Sequence, residues 1–125
     1  MKRMLAVLVL ALSAAVGLAA CSASDVAPER VTITAETVVI DVRTSAEYAE
    51  SHLEGAINID AQSDAFDSLV SALPADGDYV VYCSTGNRSG AAVSRMTELG
   101  FTTLADAGGF EEASASTGLA IVGAP

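Results

Sequence analysis

The sequence predicts an α/β domain: a central, mostly parallel sheet with helices on both of its faces. Two observations carry the prediction. Four β-rich runs, Thr37–Ile40, Gly55–Asp60, Tyr79–Tyr82 and Phe101–Ala105, recur along the chain, and a segment of helical character separates each from the next. Parallel strands need such crossovers, and the helices cover the sheet on both sides. The punctuation also fits, with capping and turn residues at the joins. At 125 residues there is room for one domain with an adequate core.

In chain order, Val31 to Ile33 is expected as a short edge strand and Thr37–Ile40 as a central strand ending at Asp41-Val42-Arg43. Thr44 or Ser45 can cap a short helix through Glu50, with Glu47 in its first turn. Gly55–Asp60 reads as a second buried strand. Ser63 can cap a helix over Asp64–Leu73, with Phe66, Leu69, Val70 and Leu73 on one face. Pro74–Asp78 is turn chemistry. After the Tyr79–Tyr82 strand, a helix over Ser89–Leu99 shows Ala92, Val93, Met96 and Leu99 at helical spacing, with Gly100 suited to its C′ position. Phe101–Ala105 is a strand, Gly108-Gly109 a turn and Phe110–Thr117 a last short helix. The small, weakly patterned tail from Ala113 to Pro125 is expected to fray.

The chain begins with Lys2 and Arg3, followed by an unbroken apolar or small run from Met4 to Ala20. These are the basic and hydrophobic regions of an export signal. The alternative is an uncleaved membrane anchor, since the run nearly reaches spanning length. Its end decides the reading: Leu18-Ala19-Ala20-Cys21 resembles a bacterial lipobox, which implies lipidation of Cys21 and a lipid-anchored, extracytoplasmic protein. The chain then divides into a signal over 1–20, a small polar tether over 21–30 and a domain over 31–125.

Without the leader, four arginines (Arg30, Arg43, Arg88, Arg95) face sixteen acidic residues, and no lysine remains. That surface argues against nucleic acid and against adhesion to anionic lipid, and makes any anionic substrate depend on a local positive site. Of two cysteines, a lipidated Cys21 cannot pair, which leaves Cys83 as a lone thiol. A Cys21–Cys83 disulfide would tie the tether to the loop and waste both features.

Cys83 follows a strand and precedes a helix, with Ser84, Thr85, Gly86 and Asn87 between it and Arg88, and Ser89 after. Free backbone N–H groups and the helix dipole favour an anion at such a place. The small residues let the loop curl and turn its N–H groups inward. A thiol there, beside a guanidinium, ionises more easily than a free cysteine. The residues therefore describe a nucleophilic thiolate in an anion cradle. A merely packed cysteine is disfavoured by these polar neighbours.

Three stretches now resemble the rhodanese-like family, and more narrowly its small, exported, single-domain members: Val39-Ile40-Asp41-Val42-Arg43-Thr44 with Glu47-Tyr48, then Ser51–Ile59, then Tyr82–Ser89 followed by a helix and Gly108-Gly109-Phe110. The resemblance spans about Thr37 to Gly109. It implies a rhodanese-like fold and a sulfurtransferase in which Cys83 takes the outer sulfur of a small anionic donor such as thiosulfate. A thiophilic acceptor, cyanide or a thiol, then removes it. Ser84, Thr85, Gly86, Asn87, Arg88 and Ser89 would form the binding loop, Asp41 and Arg43 would support it, and no cofactor or metal is implied. Arg43 could bind the donor or anchor the loop, and anchoring is favoured because charges at a strand end usually serve geometry first. His52, the only histidine, is expected to make a structural hydrogen bond. Ser51 departs from the family's usual glycine, and no tryptophan follows Gly109.

The nearest rivals, phosphatases and arsenate reductases, place five residues between cysteine and arginine, against four here, and tend to have histidine where this chain has Tyr82. The shorter loop suits one sulfur atom rather than a tetrahedral oxyanion. A second class of function is a non-enzymatic module that binds or delivers persulfide to a protein acceptor. A one-cysteine redox protein is weaker, for want of a resolving cysteine near Cys83.

Overall fold

The computed structural model describes residues 29–123; the signal, Cys21 and the tether as far as 28 lie outside the described residues. Four parallel strands form the main sheet: β1 (Thr37–Asp41), β3 (Ile57–Asn58), β4 (Asp78–Tyr82) and β5 (Thr103–Gly108), in the order β3-β1-β4-β5. A second, antiparallel pair joins β2 (Ser51–Leu53) to β6 (Ile121–Gly123). The helices are α1 (Ser45–Glu50), α2 (Phe66–Ser71), α3 (Asn87–Glu98) and α4 (Phe110–Thr117).

Alternation along the central strands builds two cores. Ile40, Val42, Tyr79, Val81 and Cys83 face α2 and α3, where Phe66, Val70, Ala92 and Met96 are buried. Val39, Val80 and Tyr82 face the other way, onto Leu53, Ala56 and Ala113, with Tyr48 and Phe110 packed alongside. Helices therefore cover both faces of the sheet, as the alternation of elements requires. From β1 the chain crosses by way of α1 to β3 on one side; from β4 it crosses by way of α3 to β5 on the other. The C-terminal ends of β1 and β4 thus flank a topological switch point, the crevice where open α/β sheets place their sites. Register pairs Asp41 with Tyr82 there, so the segments after β1 and β4 emerge side by side.

Local signals account for most boundaries. Thr44 caps α1 in a full capping box with Glu47. Gly100 follows α3 as expected: its N–H reaches Thr97 O and that of Phe101 reaches Met96 O, the paired bonds of a Schellman ending. Four expectations are corrected. Val31–Ile33 is not a strand; its backbone makes a hydrogen bond from Val31 N to Ser116 O while Val31 and Ile33 pack on the second core. The buried strand over Gly55–Asp60 shrinks to β3, an edge strand paired only with β1, and Ile57 is exposed. Ser63 does not cap α2: its Oγ accepts from Ala65 N in a turn, the helix begins at Phe66, and Leu69 points to solvent. The tail does not fray through the described residues. Ala113 and Ser116 are buried and β6 pairs with β2, His52 opposite Val122.

Candidate active site

The Cys83 loop is built by three restraints on its backbone. Cys83 N donates to Gly108 O at 2.9 Å, Phe110 N donates to Ser84 O at 3.2 Å, and Thr85 forms an isolated bridge with Gly109. The two loops approach so closely that a Cβ on Gly109 would lie 2.8 Å from Ser84 O, which leaves glycine as the residue that fits. Gly86 turns the chain into α3 with φ of 98°, a left-handed conformation that side chains resist. The helix begins there, two residues before the expected Ser89, so Asn87 and Arg88 belong to its first turn.

Among the described residues Cys83 is a free thiol, and it is 1 % exposed. Gly86 N donates to its Sγ at 2.9 Å, and Sγ lies 3.5 Å from Ser89 Oγ. Burial, the largest single influence, pushes the thiol's pKa up; the Ser89 hydroxyl and the backbone N–H groups of Ser89, Gly86 and Thr85 together outweigh it and leave the thiol more acidic than normal. Ser89 is itself buried, and its hydroxyl, 3.0 Å from Gly86 O and 3.5 Å from Sγ, has one proton to give to either. A partial positive charge from backbone N–H groups at a helix N-terminus therefore stabilises the thiolate. Asn87 and Thr85 are exposed on the rim.

Arg88 fixes the loop through a partner that the sequence reading did not assign to it. Its Nη1 donates to Glu47 Oε1 at 2.8 Å and its Nη2 to Glu47 Oε2 at 3.1 Å, and Nη2 also reaches Ser84 Oγ at 3.0 Å. The guanidinium is spent on a bidentate ion pair, and the acidity of Cys83 comes from hydrogen bonds. The sequence places Glu47 in the first turn of α1 and in the first rhodanese-like stretch, with no role in the site, yet it ties the site together. It also accepts from Ser84 Oγ at 2.7 Å and from Thr44 N and Oγ1. The Arg88 and Ser84 hydrogen bonds, in that order, hold its carboxyl well below the usual carboxylate range. The legible signal was its place: a glutamate just past the end of β1, beside a loop whose one cation lacked a partner.

Asp41 and Arg43 form a separate, buried pair. Arg43 Nε donates to Asp41 Oδ1 at 3.0 Å and Nη2 to Oδ2 at 2.7 Å; Tyr82 OH donates to Oδ2 at 2.8 Å while accepting Leu53 N at 2.9 Å. Arg43 Nη2 also reaches Ser51 O, and its guanidinium carbon lies 4.2 Å from the centre of the Phe110 ring. Arg43 is 4 % exposed and its Nε and Nη2 are bonded to protein groups, so the pair joins β1, β4, β2 and α4 beneath the loop. His52 Nδ1 donates to Tyr48 O at 2.8 Å and its ring stacks on Tyr48, a structural arrangement.

The model of the rhodanese-like domain matches residues 29–116. The chain is 38 % identical over 74 residues to the thiosulfate sulfurtransferase PspE of Escherichia coli, covering 58 % of this chain and 70 % of that protein. It is 30 % identical over 94 residues to a sulfurtransferase of Allochromatium vinosum, covering 75 % of this chain and 86 % of that one. Among solved structures it resembles a rhodanese with anions from E. coli, at TM-score 0.59 and 29 % identity over 70 % of this chain and 98 % of that one. Sheet order, the cysteine loop and the length of these matches agree: the chain belongs to the rhodanese-like domain family.

Proposed function

We propose that the protein is a sulfurtransferase that carries sulfane sulfur as a persulfide on Cys83. The observation that carries the reading is the environment of Sγ: a buried, acidified thiol held by Gly86 N and Ser89 at the start of α3. The thiolate attacks the outer sulfur of a donor such as thiosulfate. The sulfur–sulfur bond of the donor breaks, sulfite leaves with its electron pair, and Cys83 becomes a persulfide anion. Cyanide or a thiolate then attacks the terminal sulfur, leaving as thiocyanate or a new persulfide and restoring the Cys83 thiolate. No general base is needed once the thiol is ionised, and the N–H groups that hold the thiolate also suit the persulfide anion. The short loop, with four residues between Cys83 and Arg88, supports this reading over one that takes a larger tetrahedral oxyanion.

Placement follows from the leader: Lys2, Arg3, the apolar run to Ala20 and the lipobox-like Leu18–Cys21 support a lipid-anchored protein outside the cytoplasmic membrane. The test of activity is steady-state thiocyanate formation from thiosulfate and cyanide. The reading expects multiple turnovers, lost in Cys83→Ser. A persulfide that forms but does not turn over would instead mark a sulfur-delivery module acting on a protein acceptor.

A further inference from the structure

Sulfur transfer moves a negative charge off Sγ and back again. The thiolate holds it on Sγ, the persulfide holds it on the added outer sulfur, and cleavage of the sulfur–sulfur bond returns it. The backbone N–H groups of the loop are fixed dipoles and do not follow this movement. The Ser89 hydroxyl can. Its Oγ lies 3.5 Å from Sγ, 3.0 Å from Gly86 O and 3.5 Å from Gly108 O. Ser89 is fully buried, so bulk water does not reach it. A hydroxyl has one proton to give and turns about its C–O bond. With Cys83 protonated, the thiol donates to Oγ and the hydroxyl proton goes to Gly86 O. With Sγ ionised, Sγ can only accept, and the same proton can turn to it. Neither carbonyl depends on that proton: Gly86 O also accepts Gly90 N at 3.1 Å, and Gly108 O accepts Cys83 N at 2.9 Å. Turning the hydroxyl away therefore strands no buried acceptor.

We propose, resting on the sulfurtransferase reading, that Ser89 is the leaving-group donor of the second half-reaction: its hydroxyl sits on Gly86 O while Cys83 is a persulfide and turns onto Sγ as the acceptor takes the outer sulfur. With cyanide as acceptor, a bond forms between its carbon and the outer sulfur. The bond between the two sulfurs breaks, its electron pair goes to Sγ, and thiocyanate leaves. The Ser89 proton stays on its own oxygen throughout; only its direction changes. A hydrogen bond made as charge develops lowers the barrier, whereas one already present in the ground state does not. The first half-reaction runs the other way: the hydroxyl already holds the thiolate and loses it as Sγ bonds the donor sulfur. Ser89 thus assists discharge of the persulfide and not its formation.

The experiment separates the half-reactions in Ser89→Ala, with the full-length chain in neutral detergent. In a ping-pong cycle kcat/KM for thiosulfate reports charging and kcat/KM for cyanide reports discharge. Both are measured at one pH, on the plateau of the alkylation profile where Cys83 is ionised in wild type and variant alike. The cyanide value should fall about fivefold, while the thiosulfate value stays level or rises by up to about twofold. The equilibrium should move with them: by intact mass, the variant should keep its persulfide at roughly ten times the sulfite-to-thiosulfate ratio that half-discharges wild type, since a hydrogen bond to the thiolate is lost. Ser89→Thr, which keeps the hydroxyl, should restore the cyanide value and the sulfite midpoint. Equal slowing of both half-reactions with an unmoved sulfite midpoint would make the hydroxyl a prop for the loop and overturn the proposal. An unchanged cyanide value in Ser89→Ala, or a threonine variant that charges normally but discharges as slowly as the alanine one, would overturn it too, and sulfur transfer would stand in each case. Failure of thiosulfate to place sulfur on Cys83 of the wild type would sink the sulfurtransferase reading, and the role of Ser89 with it.

Discussion

Two arginine–carboxylate pairs flank the end of β1, and they work under opposite conditions. Asp41–Arg43 is enclosed, with Asp41 fully buried and Arg43 4 % exposed, and Tyr82 OH donates to the same carboxylate. Glu47–Arg88 is open to water, with side chains about a third and a quarter exposed (33 % and 23 %), and it holds the cysteine loop through Ser84. The buried pair has had its desolvation offset by hydrogen bonds from Tyr82 and the Arg43 backbone N–H, so removing one partner strands a charge in the interior. The open pair can lose a partner at small cost to folding but not without loosening the loop. One scaffold therefore separates stability from reactivity, although Asp41, Arg43 and Glu47 lie within a few residues of one another in sequence.

That separation can be broken experimentally. The largest effect is expected from Asp41→Ala, which leaves Arg43 uncompensated and should cost about 3–5 kcal/mol in chemical denaturation; Asp41→Asn/Arg43→Met, which removes both charges, should recover a large part of it. A loss for the single variant no bigger than for an exposed ion pair would mean that the interior is wetter than described. Tyr82→Phe removes a hydroxyl that donates to Asp41 and accepts from Leu53 N, and should cost about 1–3 kcal/mol with the reactivity of Cys83 nearly unchanged, read by alkylation rate.

On the other side of the comparison, Glu47→Gln should leave most of the stability in place and slow sulfur transfer by roughly ten- to a hundredfold through misplacement of the loop. Its pH signature is specific. The folded-state carboxyl titrates below its ordinary value of 4.5, so the stabilisation is fully present above that pH and is lost as pH falls through and below it. The stability gap between wild type and Glu47→Gln should therefore be widest near neutrality and close on acidification. A gap that stays constant down to pH 3 would contradict the pair. The smallest expected effect is that of Ser89→Ala: the Cys83 thiol loses one of the hydrogen bonds that acidify it, so its alkylation-rate profile should move to higher pH without loss of the fold.

The sequence disclosed strand–helix alternation, the Thr44–Glu47 cap, the Gly100 helix ending and the cysteine loop, because each rests on local chemistry: apolar period, capping residues, small loop residues. It hid what depends on distant partners. β2 and β6 are three residues each and pair across the length of the domain, so no local pattern announced them. Glu47 looked complete as a cap, and only the adjacency of β1 and β4 brings it to Arg88. That Arg88 is neutralised by Glu47 was hidden for the same reason, since this partner lies forty-one residues away in the chain.

The most direct test of the central claim is the intact mass of the purified chain before and after excess thiosulfate. The account predicts a gain of one sulfur atom, absent in Cys83→Ala and reversed by cyanide. A folded protein that gains no sulfur, or gains it equally without Cys83, would contradict it.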